Sequence, residues 1–413
     1  MGFIKAAVAL QLLLSSISTA LPTGSVGVER RAESQSTTVY DAIVVGGGPA
    51  GLSAVSGLAR VRRNVLMIDS GVYRNDPTRH MHDVIGTDGV APAFFRWKAR
   101  NQLAYYESAS LINGTVTKVD VPENSTTSPF TVHATLPSGE QAALGARSVV
   151  LATGLTDIIP GTPGVQENWG KGIYWCPWCD GNEHADQALG ILAPLTDAAS
   201  SFQEISTLNK DVIVFVNGTD TDDMRAASDK KFPGWTQYLE ANNIKVENRT
   251  ITNLVRLVDG GLNEHPEAPT FPEHDLFRLE FADGTSVERN AFYASFPNKQ
   301  HSTVGADMGV RLDGGRLAAD GTKGLMTNIP NVYAIGDANA DNVTNVPHAM
   351  YSGKRSAVFL HVALARQETA VLLASQNATS AEEERSLDLE PRAVWEVMNG
   401  GENDILDAGE FEQ

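Results

Sequence analysis

The stretch that leaves this chain least freedom lies near its beginning. Val39-Tyr40-Asp41-Ala42-Ile43-Val44-Val45-Gly46-Gly47-Gly48-Pro49-Ala50-Gly51-Leu52 is an apolar run that breaks into glycines and then turns helical, from Ala50 to Arg60. A second apolar run, Asn64-Val65-Leu66-Met67-Ile68, ends in Asp69. Strand, Gly-x-Gly-x-x-Gly, helix, strand and acid in that order specify a right-handed βαβ unit, and with it a parallel sheet covered by helices. Gly46, Gly48 and Gly51 let backbone approach a pyrophosphate. Pro49 and Ala50 open the helix whose N-terminus faces it, and Asp69 receives a ribose hydroxyl. A glycine-rich turn without a ligand is the bland alternative; the full βαβ context, with the acid at the expected distance, speaks against it. The fingerprint alone does not choose between NAD and FAD.

Cys176-Pro177-Trp178-Cys179-Asp180-Gly181 contains the only two cysteines of the 413 residues. A pair two residues apart closes a short, reducible disulfide rather than a structural staple, which points to redox chemistry. Zinc is the rival use, but it needs two more soft ligands that only histidines supply here. Pro177 suits the first turn of a helix, and a helix N-terminus beside the sulfurs lowers a thiol pKa.

The chain also carries an address. Residues 1–20 hold Lys5, the apolar run Ala6 to Leu14 and the small-residue finish Ser18-Thr19-Ala20, the pattern of a secretory signal peptide. Residues 21–31 end in Arg30-Arg31, which reads as a propeptide cleavage site or as an ordinary exposed charge pair. No other apolar run in the sequence is long enough to span a bilayer, which implies a soluble secreted protein. Asn-x-Ser/Thr recurs at Asn113, Asn124, Asn217, Asn248, Asn342 and Asn377, as expected of a secreted, extracellular glycoprotein. The net charge of −18 argues against nucleic acid and anionic membranes as partners. A chain this long supports about two domains and a core that needs no structural disulfide.

The rest of the chain chooses the cofactor. Leu151-Ala152-Thr153-Gly154 ends an apolar strand, Asn331-Val332-Tyr333-Ala334-Ile335-Gly336-Asp337 ends another, and a helix from about Pro347 to Ala365 follows a loop. With the fingerprint, these resemble the pyridine nucleotide-disulfide oxidoreductases, which implies FAD. Asp337 then contacts the ribityl–phosphate region, and the following helix points its N-terminus at the flavin. From Tyr40 to Arg366 the element order resembles the low-molecular-weight thioredoxin reductase family. That resemblance implies an α/β chain of two Rossmann-like, three-layer domains. The FAD domain is split (38–157 and 291–375) by a smaller inserted Cys-x-x-Cys domain (158–290), with an acidic tail at 376–413. Strands between Thr115 and Leu151 form the expected connection, and Ala291 to Pro297 is read as the strand returning to the FAD domain.

Site residues follow from the resemblance position by position. Cys179 corresponds to the thiol facing the flavin, Cys176 to the thiol meeting substrate, and Asp180 to the acid–base group. Asp180 is equally a helix first-turn carboxylate. His184 shares its helical face if the helix persists, as a proton shuttle or a solvated surface histidine. Gly46, Gly48, Pro49, Ala50, Gly51, Asp69, Val119, Ala152, Gly336, Asp337 and Val346 are expected around FAD. The stretch Tyr73 to His82 resembles a branch that includes fungal dithiol oxidases of the gliotoxin and holomycin type, where it borders FAD. It adds Arg74, Asn75 and His82, with His80 less directly. Metal ligation is the other reading of His80-x-His82, and no metal is expected. His348 either aids proton transfer or caps its helix. Trp175 and Trp178 either wall a substrate pocket or pack a domain interface.

One departure from the family narrows the function. The strand Ala188 to Ala193 is followed by Pro194-Leu195-Thr196-Asp197-Ala198-Ala199-Ser200-Ser201, without the glycines an NADPH pyrophosphate requires. The next strand, Val212 to Asn217, leads into Thr219 to Asp223, which holds three aspartates and no arginine for a 2′-phosphate. NADPH binding by another geometry is the alternative. The expected activity is therefore a secreted, FAD-dependent sulfhydryl oxidase resembling fungal glutathione oxidases. Small thiols reduce Cys176–Cys179, and O2 leaves as H2O2. A dithiol oxidase acting on a secondary metabolite, an NADPH-dependent reductase and a non-enzymatic FAD-binding protein are the other readings. A homodimer is expected by analogy with the family.

Overall fold

The computed structural model describes residues 39–261 and 270–377. The signal peptide, propeptide and acidic tail lie outside the described residues. Within the fingerprint half, five strands form one parallel sheet in the order Val332–Ala334, Val149–Leu151, Ala42–Val45, Val65–Asp69 and Ala109–Asn113. Alternation along these strands builds a three-layer unit. Ala42, Val44, Val65, Met67 and Val150 face the helices Pro49–Ala59 and Val346–Asn377. Ile43, Val45, Leu66, Ile68, Val149 and Leu151 face the strands Thr115–Asp120, Phe130–Thr135 and Gln141–Ala146. Both faces of the central strands are buried, which is why they read as continuous apolar runs. The two helices cross closely because small residues meet there: a Cβ on Gly57 would lie 2.6 Å from that of Ala357.

The C-terminal helix begins at Val346 and is longer than its sequence signal. This corrects the expectation that no run after the leader is long enough to span a bilayer: Val346–Ala374 is, by length and composition. Here Ala349, Ala357, Leu360 and Leu364 pack into the core instead.

The inserted half repeats the plan. Ile173–Tyr174, Ala291–Ala294, Leu189–Leu192, Val212–Phe215 and Lys245–Glu247 form a second parallel sheet in that order. One face meets Phe202, Ile205, Trp235 and Leu239 from helices. The other meets the antiparallel strands Ile251–Val258, Leu276–Phe281 and Ser286–Arg289. This corrects the expected boundary at residue 291. Ala291–Ala294 does not return the chain to the FAD half; it is an interior strand of the inserted sheet, paired with Leu189–Leu192 and Ile173–Tyr174. Phe292 and Tyr293 need apolar partners on opposite faces, and only a sheet interior supplies both. The return follows at Asn298–Gln300, which pairs antiparallel with Leu155–Asp157.

Candidate active site

A cavity of about 830 Å³ runs from the fingerprint turn to the cysteine pair, within the range of cofactor sites. Gly46, Gly48, Pro49 and Ala50 line one end. The turn tolerates no side chain at two places. Gly46 has φ +108°, and a Cβ on Gly51 would sit 1.9 Å from the Gly46 carbonyl oxygen. Gly51 therefore shapes the turn from beneath and is not itself a wall of the cavity. Asp69 lines the cavity with its carboxylate already held by Tyr73 Oη at 2.5 Å, Arg100 Nη1 at 2.7 Å and the Gly71 amide at 3.1 Å. Burial, then the bond to Asp69, pushes the Tyr73 hydroxyl up to about 12.

At the middle, Arg74 binds Asp157 through two nitrogens, at 2.8 and 2.7 Å, and Asp337 at 2.9 Å. It thereby ties the loop after Asp69 to Gly336-Asp337. Asn75, Ala152, Gly336, Asp337 and Val346 also line the cavity, and the 32-residue helix that starts at Val346 has no acid in its first turn. The residues fit FAD. Two helix N-termini open on the cavity without acidic first turns. Nothing lies within 4 Å of a Cβ built on Gly48, so the turn is open there. The buried Thr153 hydroxyl on the wall has no protein partner.

The cysteine end is closed by Cys176–Cys179, a disulfide of 2.02 Å. Cys179 and Asp180 line the cavity, whereas Cys176 does not. Trp175 lines it too, stacked on Trp169 at 4.9 Å, while Trp178 points outward, 70% exposed. Burial pushes the Asp180 carboxyl well above its usual range; the charges of Glu183 and Glu273 push the same way and Arg79 opposes them. His82 lines the cavity and hydrogen-bonds the Cys179 carbonyl at 2.9 Å.

Three expected residues stand elsewhere. The helix Pro177–Asp180 ends at once, so His184 does not share the face of Asp180. It is 2% exposed, stacked on Tyr174 and bonded to the Glu273 carbonyl at 3.3 Å; it is buried and off the cavity wall, not a surface residue. His348 is paired with Asp341 at 2.8 Å and is not on the cavity wall. Val119 is core, 4% exposed. A register shift between Val116 and Lys118 turns it inward, and Gly114 to Thr117 wall the cavity in its place.

Three residues of this end give no sequence signal as a set: Arg79, Glu183 and Glu273. Arg79 reaches from the FAD half to Glu273 and to Asp275 at 2.8 Å. His184, Glu273 and Asp275 approach one another closely enough for a metal, but Arg79 supplies the cation there, and Arg256 meets Asp275 at 2.9 Å.

The second turn, after Leu189–Leu192, has a different character. Leu195 is buried, and its amide donates to Thr219 Oγ1 at 3.0 Å. Asp197 precedes the helix Ala198–Ile205 and binds Lys231 at 2.7 Å and Ser295 at 3.1 Å. Arg225, in the following helix, is taken by Asp220 through contacts at 2.5 and 2.6 Å.

Residues 40–191 match the family described as pyridine nucleotide-disulphide oxidoreductase. The "Probable thioredoxin reductase" of Arthroderma benhamiae is 45% identical over 350 residues, 84% of this chain and 85% of that protein. "Thioredoxin reductase sirT" of Leptosphaeria maculans is 29% identical over 312 residues, 73% and 87% of the two chains. The crystal structure of HlmI superposes with a TM-score of 0.67 at 28% identity, over 83% of this chain and 98% of that one. A thioredoxin reductase from Streptococcus pyogenes shares the fold, with a TM-score of 0.64 at 19% identity over 80% and 100%. With the relative from Arthroderma benhamiae matched along most of its length, this chain belongs to the pyridine nucleotide-disulphide oxidoreductases of thioredoxin reductase type and is an FAD flavoprotein oxidoreductase.

Proposed function

We propose that this chain is a secreted sulfhydryl oxidase that converts small thiols such as glutathione to disulfides, with O2 reduced to H2O2. The turn after Leu189–Leu192 carries the proposal. A nicotinamide dinucleotide needs free backbone amides and a positive helix end for its pyrophosphate. Here the Leu195 amide is spent on Thr219, and the Asp197 carboxylate sits at the helix start. An entering pyrophosphate meets the Asp197 carboxylate and the half-buried Pro194 ring, while the Leu195 side chain is turned into the core. Electrons then enter through the disulfide. A substrate thiolate attacks Cys176 Sγ, the S–S electron pair passes to Cys179, and a second thiol releases the product disulfide. FAD, when bound, accepts the electron pair from the cysteines and delivers it to oxygen. Cys179 stands on the cavity wall and Cys176 off it, a division of labour that suits this order of events.

Secretion is proposed on the leader and on the sequons. Asn113, Asn124, Asn217, Asn248 and Asn342, the sequon asparagines among the described residues, are all exposed. A homodimer remains the assembly proposed by analogy.

The test is flavin bleaching of the purified protein without oxygen, with NADPH in one sample and glutathione in another, followed by air. Bleaching by glutathione alone, with colour and peroxide returning in air, is expected. Rapid bleaching by NADPH refutes the proposal. Bleaching only by a rigid dithiol moves the substrate to a dithiol metabolite.

A further inference from the structure

Pro77 to His82, the stretch that follows Arg74 in the FAD half, reaches across to the half that carries the disulfide. It passes two glycines of that half. Gly170 has φ +73°, and a Cβ there would lie 2.9 Å from the Pro77 carbonyl carbon and the Thr78 amide nitrogen. A Cβ on Gly261 would lie 2.3 Å from Arg79 Nε. Side chains are thus missing where the stretch enters. Beyond them Arg79 binds the carboxylates of Asp275 at 2.8 and 3.0 Å, Asp259 at 2.6 Å and Glu273. The His80 ring meets Phe271 edge-on at 5.2 Å. His82 Nδ1 stands 2.9 Å from the Cys179 carbonyl oxygen, and because a carbonyl only accepts, the imidazole donates. Each of these partners belongs to the inserted half. The chain itself joins the halves through a narrow pair of strands, Leu155–Asp157 and Asn298–Gln300.

We infer that Pro77 to His82 is a docking finger for the disulfide, with His82 its positioning residue: it holds Cys179 at the cavity wall whether the S–S bond is closed or open. None of its contacts ends on sulfur. His82 binds a main-chain oxygen and Arg79 binds carboxylates, so reduction of the cysteine pair removes none of them. The inference rests on the proposed route of electrons, in which thiols open the S–S bond at Cys176 and the electron pair leaves from Cys179. Opening the bond needs no finger, because Cys176 lies off the cavity wall. Passing the electrons on needs Cys179 in place. The two steps are therefore separable by mutation.

The test measures both steps at saturating FAD without oxygen. Dithiothreitol closes to its cyclic disulfide and leaves Cys176 and Cys179 as thiols. Samples quenched with iodoacetamide report Cys176 by mass, and absorbance reports the flavin. His82→Phe keeps a ring and loses the donor. Its bleaching, relative to Cys176 alkylation, is expected to slow by about tenfold to a hundredfold, as misplacing a reacting group by about 1 Å does. His82→Asn puts an amide N–H in reach of the same carbonyl and restores the wild-type ratio. Gly170→Ala touches no polar contact but presses on Pro77, and it must slow bleaching as His82→Phe does. A role in stability alone lowers unfolding midpoints and leaves the ratio unmoved. An unmoved ratio in His82→Phe and Gly170→Ala overturns the finger, and so does an asparagine variant no better than phenylalanine. If dithiothreitol does not bleach the wild type, the proposed electron route fails, and the finger is judged on flavin emission. Trp175 on the cavity wall is the expected quencher while the halves are docked. Emission then rises in His82→Phe and Gly170→Ala and stays low in His82→Asn, or the inference is wrong.

Discussion

Removing the Arg79 guanidinium is expected to cost about 3 kcal/mol, and the figure follows from what its loss leaves behind. Arg79 is 12% exposed and meets three carboxylates. Asp259 is 63% exposed, so its share is under about 1 kcal/mol. Asp275 is fully buried but keeps Arg256 at 2.9 Å and the Gly260 amide at 3.0 Å. Glu273, 8% exposed, is the group left short; among the described residues only the imidazoles of His80 at 3.5 Å and His184 at 3.9 Å stand near it, and burial favours the neutral form of His184. Breaking a buried pair by removing one partner costs about 3–5 kcal/mol, and the compensation at Asp275 selects the lower end. Arg79→Met, which keeps the aliphatic stem, is compared with wild type by urea unfolding at equal FAD saturation, since bound cofactor stabilises by mass action. The pH dependence supplies a second check. Burial raises the Glu273 carboxyl, but the nearby His80 ring, Arg79 and His184 together outweigh it, and the carboxyl lies below its usual range. A depressed folded pKa contributes stability above the unfolded value, which is lost as pH falls through the folded one. The deficit of Arg79→Met must therefore shrink on acidification, as Glu273 protonates and no longer needs a cation. Adding Glu273→Gln at neutral pH should restore at least about 1 kcal/mol, because an uncharged amide leaves no buried charge unpaired. A neutral-pH deficit below about 0.5 kcal/mol, or one that grows in acid, refutes the reasoning.

Other outcomes are equally specific. Gly51→Ala, whose Cβ would lie 1.9 Å from the Gly46 carbonyl, should give protein that purifies without its flavin colour; normal absorbance would show that the turn adapts. Asp180→Asn should slow thiol-driven bleaching by about 10²–10⁴-fold, the usual worth of a general acid; an unchanged rate excludes it from the chemistry. Tyr73→Phe removes one of three donors to Asp69 and should cost about 1 kcal/mol in urea unfolding. Pro194→Gly alone should leave NADPH unable to bleach the flavin, because Asp197 still occupies the helix start.

Much of the fold is legible in the chain. The runs Ala42–Val45 and Val65–Asp69 bury every residue, so their apolar continuity signals a strand covered on both faces. The helix Pro49–Ala59 starts at a proline after the glycines, as local chemistry requires. Val119 shows where local pattern fails: the pairing of its strand with Phe130–Thr135 shifts register between Val116 and Lys118, which strict alternation along the strand does not foresee. Helical spacing puts His184 beside Asp180, but the helix stops at Asp180 and the chain folds the histidine inward. Ala291–Ala294 could join either sheet by composition, and only partners on both faces decide which.

What the sequence determined by itself is the local chemistry: a fingerprint turn that admits no side chain at Gly51, one reducible cysteine pair, and a second turn without glycines. These are properties of neighbours along the chain, held in place by sterics within a few residues. What only the tertiary structure decided is the electrostatic setting of the disulfide. Arg79 and His82 come from one half, Glu183 and Glu273 from the other, and their charges act through space in a buried site where water cannot screen them.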